Sequence, residues 1–193
     1  MPPLNESAQS LFYTSGCPAV RVHRHLDGCI NSAIQHQPST YAAIKVQALL
    51  DITVYVMACR FLEASVKHVV YNCMVMRGAS PVALDELSSR LKRFNNPEFS
   101  NIKQLLLDEL GYDITNDINT GYEQRDITFL NEICKNRHRN VHATEDPRDW
   151  YNTNRKTMDN FQQEYGGLLK VVKYLDGLVF DNATNNYVLR IAV

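Results

Sequence analysis

The sequence predicts an all-α fold, a helical bundle with long helices, and three observations carry that prediction. From residue 40 to residue 77 the chain runs without a single Pro or Gly. Apolar residues recur at spacings of three and four in two further stretches, 123–143 and 154–180, which is the period of a helix with one buried face. Gly78, Ser80-Pro81, Asn95-Asn96-Pro97, Gly111 and Pro147 break the chain between those stretches. The chain shows no internal repeat and no low-complexity tract.

The elements follow in order. Residues 1–40, punctuated by Pro2, Pro3, Gly16, Pro18 and Pro38, are expected to form an N-terminal extension that packs on the domain or on a partner. Residues 41–181 form the helical domain, and 182–193 a C-terminal tail. Thr40 can cap the first long helix and Gly78 can end it. Its residues are apolar nearly all round, so it is expected to be buried on most sides. At ~1.5 Å per residue such a helix reaches ~55 Å unless it kinks, which suggests packing against a second subunit. Ser80-Pro81 reads as a cap and first helical residue. Ser100 caps the next helix and Gly111 stops it. The stretch 112–121, rich in Asn, Asp and Thr, is a loop. A helix from about Glu123 carries Ile127, Leu130, Ile133 and Cys134 as its apolar stripe. The last helix, from about Asn154 to Phe180, carries Met158, Phe161, Tyr165, Leu168, Leu169, Val172, Leu175 and Leu178. The alternation in 187–193 is weak and predicts a short extended segment.

Composition bounds the function. A chain of 193 residues with 45% hydrophobic and 21% charged residues makes one ordinary globular domain. With a net charge of −1 and a pI near 6.6 it is not a globally basic nucleic-acid coat. Nucleic-acid contact must rest on local basic stretches, at 21–25, 90–93 and 135–139, each of which reads equally well as a solvated face. Five cysteines, an odd number with no Cys-x-x-Cys pair, point to a reduced, cytoplasmic setting. No signal peptide or membrane span is expected, since the longest apolar runs are broken by charges well before ~18 residues. Without secretion, the glycosylation pattern at 182–184 carries no meaning.

The chemistry concentrates between Asn136 and Glu145, NRHRNVHATE. Arg137 and His142 are separated by four residues. With twelve arginines and six histidines in the chain, that spacing arises about 0.4 times by chance, so context must decide its meaning. On a straight helix the two lie about 140° apart around the axis and do not share a face, whereas His138 and His142 do. A break near Asn140 and Val141, or a second copy of the chain, is needed to join Arg137 and His142. Cys134, His138 and His142 fall on one helical line. However, ~12 Å separates the first from the last, too far for one zinc ion at ~2.0–2.3 Å from each ligand. A His138–His142 pair completed by His23 or His25 stays open, although the line lacks the Glu of a zinc peptidase. Cys134 as a nucleophile with His138 is disfavoured by its place on the apolar stripe, where a thiol stays inert. Two readings remain beside these: histidines with a purely structural role, and metal-free RNA cleavage. The latter needs a base for the 2′-hydroxyl, an acid for the leaving 5′-oxygen, and positive charge on the phosphate. Histidine titrates in the right range and arginine is matched to phosphate oxygens.

Two other stretches join this motif: CRFLEASVKHVV at 59–70, with Glu63 at an acidic position, and RLKRFNNPEFSNIKQLL at 90–106. In this order the three resemble the HEPN superfamily, specifically RiboL-PSP-type HEPN domains, over about residues 45–180. The motif departs from the family at two positions: His138 follows Arg137 where Asn is common, and Ala143 follows His142 where Gly is common. The resemblance implies a HEPN-like bundle of long antiparallel helices and a homodimer whose two motifs meet across the twofold axis in one basic cleft. It implies a metal-independent endoribonuclease, a toxin or antiviral-defence effector, leaving a 2′,3′-cyclic phosphate and a 5′-hydroxyl. On that resemblance His142 is the main acid/base, Arg137 holds the scissile phosphate, His138 and Asn140 support the site, and Glu63 orients Arg137 or His142. Arg139 and Lys135 contact RNA. RNA, a second copy, and an antitoxin or defence-system protein are the partners implied, and no cofactor or metal is. A non-catalytic HEPN module that binds a nucleotide or RNA, or acts as a scaffold, is the alternative, and a dimeric structural protein without ligand is a third.

Overall fold

The structure is a computed structural model. It describes the backbone of residues 40–141 and 158–189, and the side chains of 53–137 and 160–189. The described residues are mostly helical, with five α-helices, one 3-10 turn and a small hairpin. The long Pro- and Gly-free stretch is a single helix, α1 (Thr40–Met76), in which Thr40 is already helical. Ser80 caps α2 (Pro81–Leu91): its Oγ accepts the Ala83 N–H at 3.3 Å, and Pro81 takes a position where its missing N–H costs nothing. Gly78 and Gly111 follow their helices at φ +81° and +69°, the left-handed turn that glycine adopts without a Cβ clash.

Three elements differ from the sequence expectation. The third helix, α3 (Phe99–Leu110), begins before Ser100, with Glu98 as a cap residue that makes no side-chain cap bond. The Phe99 N–H is taken instead by Asn131 Oδ1 at 2.9 Å, from α4 (Gln124–Val141). The loop after α3 holds a 3-10 turn (Ile114–Asp117), started by Asp113, whose carboxylate accepts the Thr115 N–H and hydroxyl at 3.0 and 2.6 Å. The last helix, α5 (Met158–Asp176), stops short of Phe180. After Gly177 the chain forms strand β1 (Leu178–Asp181), paired antiparallel with β2 (Asn186–Leu189), Leu178 facing Leu189. Leu178 and Phe180 are therefore strand residues. Leu178 is buried, as is Tyr187, whose hydroxyl donates to the Cys73 carbonyl of α1 at 3.2 Å.

α1 is the axis of the core and touches α2, α3, α4, α5 and β1. Tyr55, Cys59, Leu62, Val66, Val69 and Cys73 face inward at steps of three and four. They meet Ile127, Leu130, Ile133 and Cys134 of α4, and Phe161, Leu168, Leu169, Val172 and Leu175 of α5, all buried. Each large apolar side chain buried this way contributes about 1.5–3 kcal/mol. Val171 and Tyr174 are buried as well, so α5 is covered over a wider arc than its predicted stripe. Burial of α1 is incomplete. Met57, Arg60, Ala64, His68, Tyr71 and Val75 form one exposed stripe along it. No described helix is long and apolar enough to cross a membrane.

Candidate functional site

The apolar stripe of α4 fixes how the helix sits on α1, and that docking decides where Arg137 goes. Cys134 is buried against Cys59, with 3.8 Å between the sulfurs. Arg137, nearly one turn on, is carried to the rim of the same contact and is 26% exposed. Its Nη1 lies 3.5 Å from Cys59 Sγ and 3.4 Å from Glu63 Oε2, and it donates to the Asn95 carbonyl. One guanidinium thus joins α1, α4 and the segment between α2 and α3. Glu63 is shared: its Oε1 accepts from Lys67 Nζ at 2.6 Å.

The charge on Arg137 is held firmly. Its hydrogen bond to Cys59 raises its pKa above the ordinary arginine value, with Glu63 helping against the cost of burial. Cys59 moves the other way, down to about 7. The hydrogen bond shared with Cys134 is the largest cause, and Arg137 adds a second bond and its charge. Cys134, in hydrogen-bond contact with the Cys59 sulfur and buried, is pushed upward. Arg60 on α1, Lys92 and Arg93 just after α2, and Lys135 on α4 are exposed cations on the same elements. The Asn95 carbonyl and the Glu63 carboxylate both take donor capacity from Arg137, and the guanidinium edge left over is the group here that is matched to an anion.

Of the residues singled out in the sequence, the structure brings Arg137 and Glu63 together and leaves Lys135 exposed on the same helix. His138, Arg139 and Asn140 lie on α4, which is still helical at Asn140 and Val141; their side chains, and the whole of His142, lie outside the described residues. The same holds for His23 and His25 and for the N-terminal extension. Among the described residues no group of three or more His, Cys, Asp or Glu side chains is placed to hold a metal ion. Cys59 and Asn95 are the partners of Arg137 that sequence reasoning missed. Both fall inside the two stretches quoted for the resemblance, so their positions were marked although their contacts were not.

A concavity of about 510 Å³ lies between α4 and α5 and is lined by Arg125, Asp126, Phe129, Glu132, Gly167 and Lys170 among others. Its charges are mixed, and Lys170 sits 3.9 Å from both Glu123 and Asp126. It does not reach Arg137.

No family model matches the chain, and neither a curated protein nor a solved structure does.

Proposed function

We propose that the protein is a HEPN-type, metal-independent endoribonuclease, acting as a homodimer and serving as a toxin or antiviral-defence effector under the control of an antitoxin or defence-system partner. The supporting observation is the convergence at Arg137. The three stretches that carry the resemblance lie far apart in the chain, and one guanidinium touches all of them: Cys59 and Glu63, Asn95, and its own helix. The exposed stripe on α1, with Met57 and Tyr71 at 37% and 38% exposure, offers apolar area for a second copy.

In this reading His142 takes the proton of the 2′-hydroxyl or returns one to the leaving 5′-oxygen. The 2′-oxygen attacks phosphorus, the 5′-oxygen leaves, and the products carry a 2′,3′-cyclic phosphate and a 5′-hydroxyl. Arg137 stabilises the charge that gathers on the phosphate oxygens, and Glu63 holds it in position. His138 and Asn140 support the site, while Arg139 and Lys135 bind the RNA backbone. The engagement of Arg137 by three neighbours favours a second reading, a non-catalytic HEPN module that binds RNA or a nucleotide, because less of its donor capacity is left for a transition state.

The test is incubation of RNA with wild-type, Arg137→Ala and His142→Ala protein in EDTA, with typing of product ends. Wild-type cleavage to cyclic phosphate ends, lost in both variants at unchanged melting temperature, is the expected result. Retained cleavage in His142→Ala sinks it. Binding without cleavage, insensitive to pH from 5 to 8 and weakening with salt by a slope of about 0.7 per phosphate contact, favours the binding module.

A further inference from the structure

The Cys59–Cys134 pair has more chemistry than a core contact requires. Both thiols are free and buried, and they face each other at 3.8 Å across the α1–α4 seam. Cysteines in a core usually act as small hydrophobes, and Cys73 shows that behaviour in this same helix. It is equally buried and its sulfur points to the Leu178 carbonyl at 3.7 Å. Burial, with the negative charge of Asp176, pushes the Cys73 thiol up to about 12. Cys59 differs from it in one respect: a cation and a second thiol stand against its sulfur. That is the setting in which a thiolate forms and attacks. A partner thiol within one side-chain rotation is the setting in which the oxidised sulfur is resolved.

We propose that Cys59 and Cys134 are a peroxide-reactive dithiol, Cys59 attacking and Cys134 resolving, which closes a disulfide between α1 and α4 beneath Arg137. The Cys59 thiolate attacks one oxygen of hydrogen peroxide. The O–O bond breaks, hydroxide leaves and takes up a proton as water, and Cys59 becomes a sulfenic acid. The Cys134 sulfur then attacks Cys59, the S–O bond breaks, and the leaving hydroxide takes the Cys134 proton as a second water. Two thiols have lost two electrons and peroxide has gained them. Closing the bond needs the sulfurs to approach by about 1.8 Å, to the ~2.05 Å of a disulfide. Neither sulfur is exposed, and Arg137 and Glu63, the charged groups nearest Cys59, are 26% and 22% exposed, so the reaction requires peroxide to reach Cys59 past the guanidinium. After oxidation Arg137 keeps Glu63 and Asn95 and loses its sulfur acceptor. This inference is independent of the proposed ribonuclease activity.

The groups facing the pair are Arg137 on α4, Glu63 on α1, and Glu98 ahead of α3, whose charge acts on Cys134. Of the two sulfurs Cys59 titrates first, so its oxidation accelerates as pH rises through about 7. The experiment treats the full chain with hydrogen peroxide beside N-acetylcysteine in the same solution, blocks remaining thiols with iodoacetamide, and maps tryptic peptides by mass spectrometry. The expected product joins peptide 46–60 to peptide 126–135 with loss of two hydrogens. In Cys134→Ser the reaction stops at a Cys59 sulfenic acid, trapped by dimedone. Consumption of N-acetylcysteine while Cys59 stays alkylatable overturns the proposal. So does a link that forms only in urea-unfolded protein.

Discussion

Asn131 on α4 closes the first turn of α3, its Oδ1 accepting the Phe99 backbone N–H at 2.9 Å. A helix that lacks its own capping side chain borrows one from a neighbour 32 residues along. The bond therefore ties two helices and satisfies a half-buried donor at once. Asn131→Ala leaves that donor empty and is expected to cost about 1–2 kcal/mol, read as a lower urea midpoint with an unchanged slope. A midpoint equal to wild type would mean the Phe99 N–H finds water at no cost.

Gly166 and Gly167 are adjacent on α5 and face opposite prospects. A Cβ on Gly166 meets nothing within 4 Å, whereas one on Gly167 lands 2.5 Å from Asp126 Oδ1. Asp126 is not free to yield, because its other oxygen accepts the Glu123 N–H at 2.9 Å at the start of α4. Gly166→Ala is expected to stabilise by about 0.5–1 kcal/mol through helix propensity. Gly167→Ala is expected to destabilise by about 1–3 kcal/mol. Thermal melts of the two single variants should shift in opposite directions, and shifts of one sign would contradict the packing described.

Cys73 gives the protein an alkaline liability. Its thiol is held up to about 12 when folded, against 9.0 as the ordinary value. Below pH 9 both states keep the proton and stability does not depend on this group. Between about 9 and 12 the unfolded chain has lost the proton and the folded one has not, so stability falls as pH rises, by at most about 1.4 kcal/mol per unit. Tyr112, raised to about 12 chiefly by burial, adds to the fall with the same sign. Cys73→Ala should flatten the slope of stability against pH above 9 by up to one proton's worth. Parallel slopes for the two proteins would refute this.

The parts of this fold legible in the sequence are those set by local chemistry. Ser80, Pro81 and Gly111 act within a few residues of themselves, Ser80 through its hydroxyl and the other two through their backbone, so the ends of α2 and α3 they mark are where they were expected. The start of α3 was not legible because Asn131, far along the chain, does the work that Ser100 was expected to do. The end of α5 was misjudged because Leu175 and Leu178 satisfy a helical spacing, while Leu178 and Phe180 satisfy a strand spacing equally well; Gly177 was the one local sign. At the candidate site, the basic stretch stood out by residue type, and Glu63 only through the resemblance. Cys59 did not, because a cysteine in an apolar run reads as core until the docking of α4 shows what lies against it.

The hairpin's seat on α1 bears on how the chain is made. Cys73 waits for Leu178, which is 105 residues further on, and for the Tyr187 hydroxyl beyond it. At a synthesis rate of about 5–20 residues per second, that is roughly 5–20 s during which Cys73 lacks the hairpin that covers it. Over that interval Cys73 and its neighbour Met74 wait for their hairpin contacts, and a ribosome stall just before residue 178 lengthens the wait.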